Sequence, residues 1–483
     1  MLNPKKKSCS SPYTSPLLKK IKNPFIAGTL ILTVTGLISR LAGFFYRIFL
    51  SRLFGEENIG IYQLISPVMA LVFSLSAAGF QNAVSKFAAG RAAIRGRRSC
   101  AEILLVGLLF SLPASLLCTA GVFLGADFIA ARLLFEPRCA SLLRIAALSF
   151  PFSAVHSCIN GYFYGLKKAS VPAATQLMEQ FFRIGSVYLI SLAALSNGRK
   201  LSISVAAAGM VIGEIASMLL SLIAAYFHFS RASGPGARRD HSSVLFPAGR
   251  GGLVSLSGRL LSLFREIFPL SVQMLSFSAP LCLNRLCINL LQAIEAACIP
   301  AKLQVYGYSV SESLSVYGVL TGMALPLIFF PGTLTNSISV LLMPAISEAD
   351  AAANHHMIGR TVRKCTLYCL LLGGACSFLF LCAGEWIGTL LFDSELAGQL
   401  IVMLGFLCPF LYLNTTLTSI LHGLGKTGYT FGLNLSSLLL RLFFVFQAIP
   451  VYGIKGYLTG MLLGQLLTAV FSLVPLRRYC LPG

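Results

Sequence analysis

The sequence predicts an all-α polytopic membrane protein of about 12 transmembrane helices, arranged as two pseudo-symmetric six-helix lobes. Three observations carry that prediction. The chain is 56% hydrophobic and 11% charged, with a mean hydropathy of +0.79. Apolar runs of about 20 residues, enough to cross roughly 30 Å of hydrocarbon, recur from end to end. The chain also repeats itself: Gly165-Leu166-Lys167-Lys168 aligns with Gly423-Leu424-Gly425-Lys426 at an offset of 258 residues. Two related halves around a central cavity, one moving against the other, is transporter architecture.

The runs fall near 25–52, 59–84, 100–125, 141–165, 171–195 and 202–229, then 266–298, 316–344, 362–384, 397–422, 428–450 and 453–475. No small-residue cleavage site follows a short apolar core at the start, so the first run reads as a retained helix. Residues 1–23 form a basic tail, 24–229 a first lobe, 230–262 a Ser-, Gly- and Arg-rich linker, and 263–483 a second lobe. The offset that relates the glycine motifs carries Pro151-Phe152 onto Pro409-Phe410 and Arg183 onto Arg441. With one residue of slippage, Leu133-Leu134-Phe135-Glu136 meets Leu390-Leu391-Phe392-Asp393; further on, Gly209 to Glu214 meets Gly460 to Gln465.

The net charge of +22 follows the loops rather than a nucleic-acid footprint. With a cytoplasmic N-terminus, one side holds Lys5, Lys6, Lys7, Lys19, Lys20 and Lys22, the Lys86–Arg98 cluster, Lys167, Lys168, the linker arginines, Arg360, Arg363, Lys364, Lys426, Arg477 and Arg478. The other side holds only Arg132, Arg138, Arg199, Lys200, Lys302 and Lys455. That asymmetry over short loops puts both termini, the tail and the linker in the cytoplasm of a multi-pass protein of the cell membrane. The 14 cysteines lie mostly in apolar runs and lack CxxC or Cys/His spacing, so neither disulfides, metal nor haem is expected.

An ionisable side chain at mid-membrane costs roughly 2.5–3.5 kcal/mol and marks a functional site by default. Arg40, Arg47, Arg183, Arg285 and Arg441 are the candidate lining of a net-positive substrate cavity. Arginine suits a polyanion because its planar fork binds phosphate bidentately and keeps its charge when buried. Arg40 and Arg47, seven apart, share a helical face with Gly43. Glu179 and Glu214 are the candidates for ion coupling or charge pairing; Glu179 stands at i,i+4 to Arg183 and can neutralise it. The structural alternatives are a helix staple for Glu179–Arg183 and snorkelling for Arg40 and Arg285. Glu295 is expected at the outer interface, and His156 and His422 as hydrogen-bonded packing residues. Pro67, Pro151, Pro326, Pro344 and Pro409 are candidate helix breaks. P-loop, GxSxG and HExxH motifs are absent, so no enzyme chemistry is expected. Any pumping would then draw on a Na+ or H+ gradient or on the membrane potential.

Thr35-Gly36-Leu37-Ile38-Ser39-Arg40-Leu41-Ala42-Gly43-Phe44-Phe45-Tyr46-Arg47, followed by Gly55 to Gln63, resembles the stage V sporulation protein B and polysaccharide exporter family. So do Tyr317 to Leu327, Pro344-Ala345-Ile346-Ser347-Glu348-Ala349 and Glu295 to Pro300. That family belongs to the multidrug/oligosaccharidyl-lipid/polysaccharide (MOP) flippase superfamily. The resemblance implies two lobes in a V around a central cavity, like the multidrug exporters called MATE. It implies movement of an undecaprenyl-pyrophosphate-linked saccharide from inner to outer leaflet, with the peptidoglycan precursor for spore cortex as substrate of the sporulation branch. Cell-wall or spore-envelope synthesis proteins would be partners alongside membrane lipids, without nucleic acid. The sequence departs from the related lipid II flippases at two places. Thr321 stands where they carry an Arg five residues before a Pro, and Tyr46-Arg47 stands at their Arg–Asp pair. A cation-coupled multidrug exporter of the same fold, or an exporter of another polysaccharide unit, is the alternative.

Overall fold

A single glycine separates the first two passes. The computed structural model describes residues 24–95, 101–198, 201–232 and 253–480, and these are helical apart from short connections, with no strand among them. The helical run Pro24–Phe73 is broken at Gly55, whose φ of 76° and ψ of 173° suit only glycine. The break divides α1 (24–54) from α2 (56–95), which passes through a π turn at Ser74–Ala78 into Gly79–Arg95. The first half continues with α3 (Ala101–Leu124), α4 (Cys139–Ala147 and Ser149–Gly165), α5 (Ser170–Ser196) and α6 (Ser204–Ala232). The second half opens with α7 (Leu253–Tyr306) and α8 (310–351), which contains a π turn at Val319–Ala324. It ends with α9 (His355–Phe392), α10 (Glu395–Gly405 and Cys408–Gly423), α11 (Thr427–Gln447) and α12 (Ile454–Leu473).

Among the described residues, 8 helices are long and apolar enough to span a membrane, and the two bent pairs, α4 and α10, raise this to 10. Gly55 splits the longest of them, Ile31–Ala92, in two. Helix α5, 27 residues long but interrupted by Glu179 and Arg183, is the remaining pass. Each apolar run of the sequence thus coincides with one helix of a multi-pass membrane protein. The basic tail 1–23 lies outside the described residues. Helix α6 runs to Ala232 and α7 starts at Leu253, so the connection between the halves is shorter at both ends than 230–262; residues 233–252 are not described.

The halves are built alike. The second segment of α4 packs against α2, α3 and α6; α10 packs against α8, α9 and α12. Helix α5 lies on α6 and α1, and α11 lies on α12 and α7. Bends fall at equivalent places, 40° in α4 and 58° in α10. Each has one cause: Pro151 and Pro409 lack an N–H and clash with the carbonyl four residues earlier, and the first segments end there, at Ala147 and Gly405. Pro67 and Pro344, by contrast, sit inside unbroken helices. The left-handed residues repeat as well, Lys167 (φ 58°) with Gly425 (φ 72°) and Phe135 (φ 56°) with Asp393 (φ 55°). The last pair corrects the sequence alignment: the 258-residue offset holds there without slippage.

Glycine lets the two halves touch. A Cβ on Gly60 of α2 would come within 2.1 Å of the Leu314 carbonyl of α8, and one on Gly318 would meet Glu56 and Gly60. Where lipid is as apolar as the side chains, close backbone approach of this kind is what drives helices together.

Candidate functional site

One face of α1 looks across at α8. Arg40, Phe44 and Arg47 recur at helical spacing and meet α8 in antiparallel order. Arg47 Nη1 donates to the Thr321 carbonyl at 3.4 Å, Phe44 stacks on Phe330 with ring centroids 5.2 Å apart, and Arg40 donates to the Asn336 side-chain oxygen at 2.9 and 3.2 Å. The Asn336 amide is assigned by this contact. Thr321 lies in the π turn of α8, where the ladder leaves a carbonyl free. The Thr321 carbonyl is thus met by a guanidinium reaching in from α1. A matching contact joins α7 to the π turn of α2: Asn289 Nδ2 donates to Ala70 O at 3.1 Å and to Ser74 Oγ at 2.6 Å.

Beyond Arg47 the halves are locked. Arg52 donates to the carbonyls of Leu391, at 2.9 Å, and Leu390. Glu56 accepts from Ser394, and Glu57 from Ser311 at 2.8 Å and Arg138 at 2.7 Å. Hydrogen bonds that Arg138 donates to Glu136, and then to Glu57, hold its guanidinium above its ordinary pKa. At the opposite end, the last segment of α8, Gly332–Ala351, lies on α9 and α10 and, among the described residues, has no extended packing against α1. Helices α1 and α8 are therefore joined on the side of residues 52–57 and part toward the other end, where α7 stays packed on α2 through Gly79 against Cys282 and Lys86 over the Phe277 ring at 3.7 Å. Arg40, exposed, stands about 21 Å inside the joined end at 1.5 Å per residue.

The five candidate arginines divide. Arg40 is exposed and Arg47 half-buried between the halves. Arg285 of α7 is exposed and forms no ion pair among the described residues. Arg183 pairs with Glu179 along α5. Arg441 is clamped by Glu295, with Nε to Oε1 at 2.8 Å and Nη2 to Oε2 at 2.6 Å, and Tyr457 of α12 closes the group at 3.2 Å from Arg441 and 3.1 Å from Glu295. Glu295 is 4% exposed, which overturns its expected interfacial place: α7 runs on to Tyr306 and carries Glu295 into the interior. Two hollows, of about 190 Å3 beside Lys364 and Thr416 and about 240 Å3 beside Lys455 and Phe406, are lined by none of the five.

Sequence reading missed how the remaining polar groups pair. His156 Nε2 of α4 lies 2.7 Å from Glu214 Oε2 of α6. Asn160 lies 3.4 Å from His156 Nδ1 and exchanges hydrogen bonds with Thr175 of α5 at 3.0 and 3.2 Å. In the second half, Asn414 of α10 donates to the Gln465 side chain of α12 at 2.7 Å. The repeat held the signal, since it sets Asn414 opposite His156 and Gln465 opposite Glu214. His422 bonds Thr430 at 2.8 Å, as a packing histidine would.

The profile of the family described as Polysaccharide biosynthesis protein matches residues 25–350, and that of MatE matches residues 280–447. The chain is 29% identical over 455 residues to stage V sporulation protein B of Bacillus subtilis, covering 93% of this chain and 83% of that one. It is 20% identical over 477 residues to the lipid II flippase MurJ of the same organism, covering 95% and 84%. Its fold is that of a multidrug resistance MATE family transporter of the MOP superfamily in an inward-facing conformation, with a TM-score of 0.66 at 16% identity, over 94% of this chain and 98% of that chain.

Proposed function

From the chain's membership of the polysaccharide biosynthesis protein family, shown by that match over most of its length, we infer that it is an alternating-access lipid flippase. Its proposed substrate is an undecaprenyl-pyrophosphate-linked saccharide, the peptidoglycan precursor first, carried from inner to outer leaflet of the bacterial cell membrane. Spore-cortex synthesis, with cell-wall or spore-envelope enzymes as partners, is the setting that its relative's name suggests. The observation that carries this reading is the α1 face: two cations, Arg40 and Arg47, between halves whose α1–α8 contacts are dense at 52–57 and part beyond Asn336.

The chemistry follows from that placement. A pyrophosphate is a dianion or more, and bidentate guanidinium contacts hold it strongly. Arg40 and Arg47 would take the pyrophosphate, with Arg285 beside them on α7, and the polyprenyl tail would stay in lipid, passing between the lobes. Breaking the Arg52, Glu56 and Glu57 contacts while closing the other end would re-expose the headgroup outside. No bond in the substrate is made or broken. Arg183 and Arg441, held by carboxylates, would position α5 and α11. With both termini cytoplasmic, the end at which α1 and α8 part faces the cytoplasm, as uptake from the inner leaflet requires.

A cation-coupled drug exporter of this fold is the second reading; the cationic α1 face counts against it, since cationic drugs call for acids. In cells depleted of their lipid II flippase, this chain should restore cleavage by an externally added lipid II-degrading toxin, and Arg40→Ala should lose that activity. Well-expressed protein that restores no cleavage would remove lipid II as the substrate.

A further inference from the structure

We propose that His156 and Glu214 form a proton-binding site that takes up one proton per transport cycle, an inference that rests on the transporter reading above. The argument starts from charge. The first half buries four facing groups: His156, Glu179, Arg183 and Glu214, each with a side chain 20% exposed or less. They lie side by side: Gly213, next to Glu214, packs against the Glu179 carbonyl and the Arg183 Cβ, which brings the two pairs within electrostatic range of each other. Two carboxylates against one guanidinium leave the cluster one positive charge short when the imidazole is neutral. Net charge buried in a helix bundle is costly, and one added proton removes it.

The surroundings accept either state. Asn160, beside Nδ1, carries both a donor and an acceptor, and its partner Thr175 is likewise both. With the imidazole neutral, the Asn160 amide donates to Nδ1 while Nε2–H donates to Glu214. With it protonated, a turned Asn160 accepts from Nδ1–H and the ion pair with Glu214 is complete. A site built for one fixed charge would hold a fixed donor or acceptor there.

The other groups facing the cluster leave the count unchanged. Tyr46 of α1 and Tyr62 of α2 neighbour Arg183 and are neutral as phenols. Arg47, which neighbours Tyr62, is bonded to Thr321 of α8. From α3, Glu102 is taken by Arg91 at 2.7 Å. The second half is the internal contrast. Glu295 and Arg441 balance there, and Asn414 and Gln465 stand where His156 and Glu214 stand, so no unbalanced acid is left at that place. Occupancy would reach the other half through α1, where Tyr46 lies within electrostatic range of Arg183 and the next residue, Arg47, holds α8.

The test needs no lipid substrate. The double variant His156→Asn, Glu214→Gln copies the amide pair of the second half. Proton uptake by purified protein in detergent is counted with a pH electrode between pH 8 and pH 5. Amide exchange at 52–57 and 390–394 is followed over the same range. Wild type should take up one proton more per molecule than the double variant, and its exchange at the joined end should change with pH while the variant's does not. Equal uptake would overturn the site. Unequal uptake with the same exchange in both would overturn its link to conformation. Should the double variant melt early, Glu214→Gln alone, the same size, must still abolish the extra proton or the site is wrong. A normal proton count in protein that moves no lipid-linked glycan would leave this inference standing and remove only the proposed substrate.

Discussion

His156 and Asn414 occupy equivalent turns of α4 and α10, yet one faces a carboxylate and the other an amide. The same holds one helix over: Arg183 answers an acid on its own helix, whereas Arg441 answers one from α7 and a phenol from α12. The glycines beside them are conserved between the halves in place, Gly213 against Glu179 and Arg183, Gly464 against Ser437 and Arg441. A shared scaffold therefore carries two electrical designs. The second half is balanced and closed around a three-residue clamp. The first is one charge short and ringed by groups that both donate and accept. We read the second as the fixed body and the first as the half whose charge changes during the cycle.

The sharpest way to break this comparison is to remove one acid from each half. Glu295→Gln leaves Arg441 buried without its counter-charge and should cost about 3–5 kcal/mol of stability, read as unfolding in mixed micelles. Glu179→Gln leaves Arg183 with Glu214 still close by, so about 1–3 kcal/mol is expected. Equal losses would mean that the halves do not differ as described. Next in size are the glycines. In Gly213→Ala the new methyl meets the Glu179 backbone carbonyl at 2.8 Å, which cannot swing away, and about 1–3 kcal/mol should be lost. Gly464→Ala meets the Ser437 hydroxyl at the same distance, which can rotate, so its melting temperature should fall less. The smallest effect belongs to the rim. Glu57 is partly exposed, and Glu57→Gln, which leaves Arg138 on Glu136, should cost less than about 1 kcal/mol, with the loss shrinking further in high salt. A larger, salt-insensitive loss would make that latch a buried element after all.

Much of the fold was legible because long apolar runs and proline chemistry are local properties. Pro151 and Pro409 foretold both bends, and the repeat foretold that Arg183 and Arg441 are equivalent. What those arginines bind was not legible. Glu295 looked interfacial because the apolar run seemed to end at 298, but α7 continues to Tyr306, placing Glu295 about 16 Å below that end. Glu214 gave no hint of His156, 58 residues away, because pairing across helices depends on rotation that a single sequence does not state. Arg40 and Arg47 came through correctly as one face, since seven residues is a helical period.

The central claim is that the cationic α1 face carries a lipid-linked anion across the bilayer. The direct measurement places purified protein in vesicles with a fluorescent undecaprenyl-pyrophosphate muropeptide and adds a membrane-impermeant quencher. The account predicts that label in the inner leaflet becomes accessible, and that Arg40→Ala slows this by roughly tenfold or more, about 1.4 kcal/mol, while the protein still melts normally. Label that stays as protected as in empty vesicles, or an Arg40→Ala protein that works at the full rate, would contradict it.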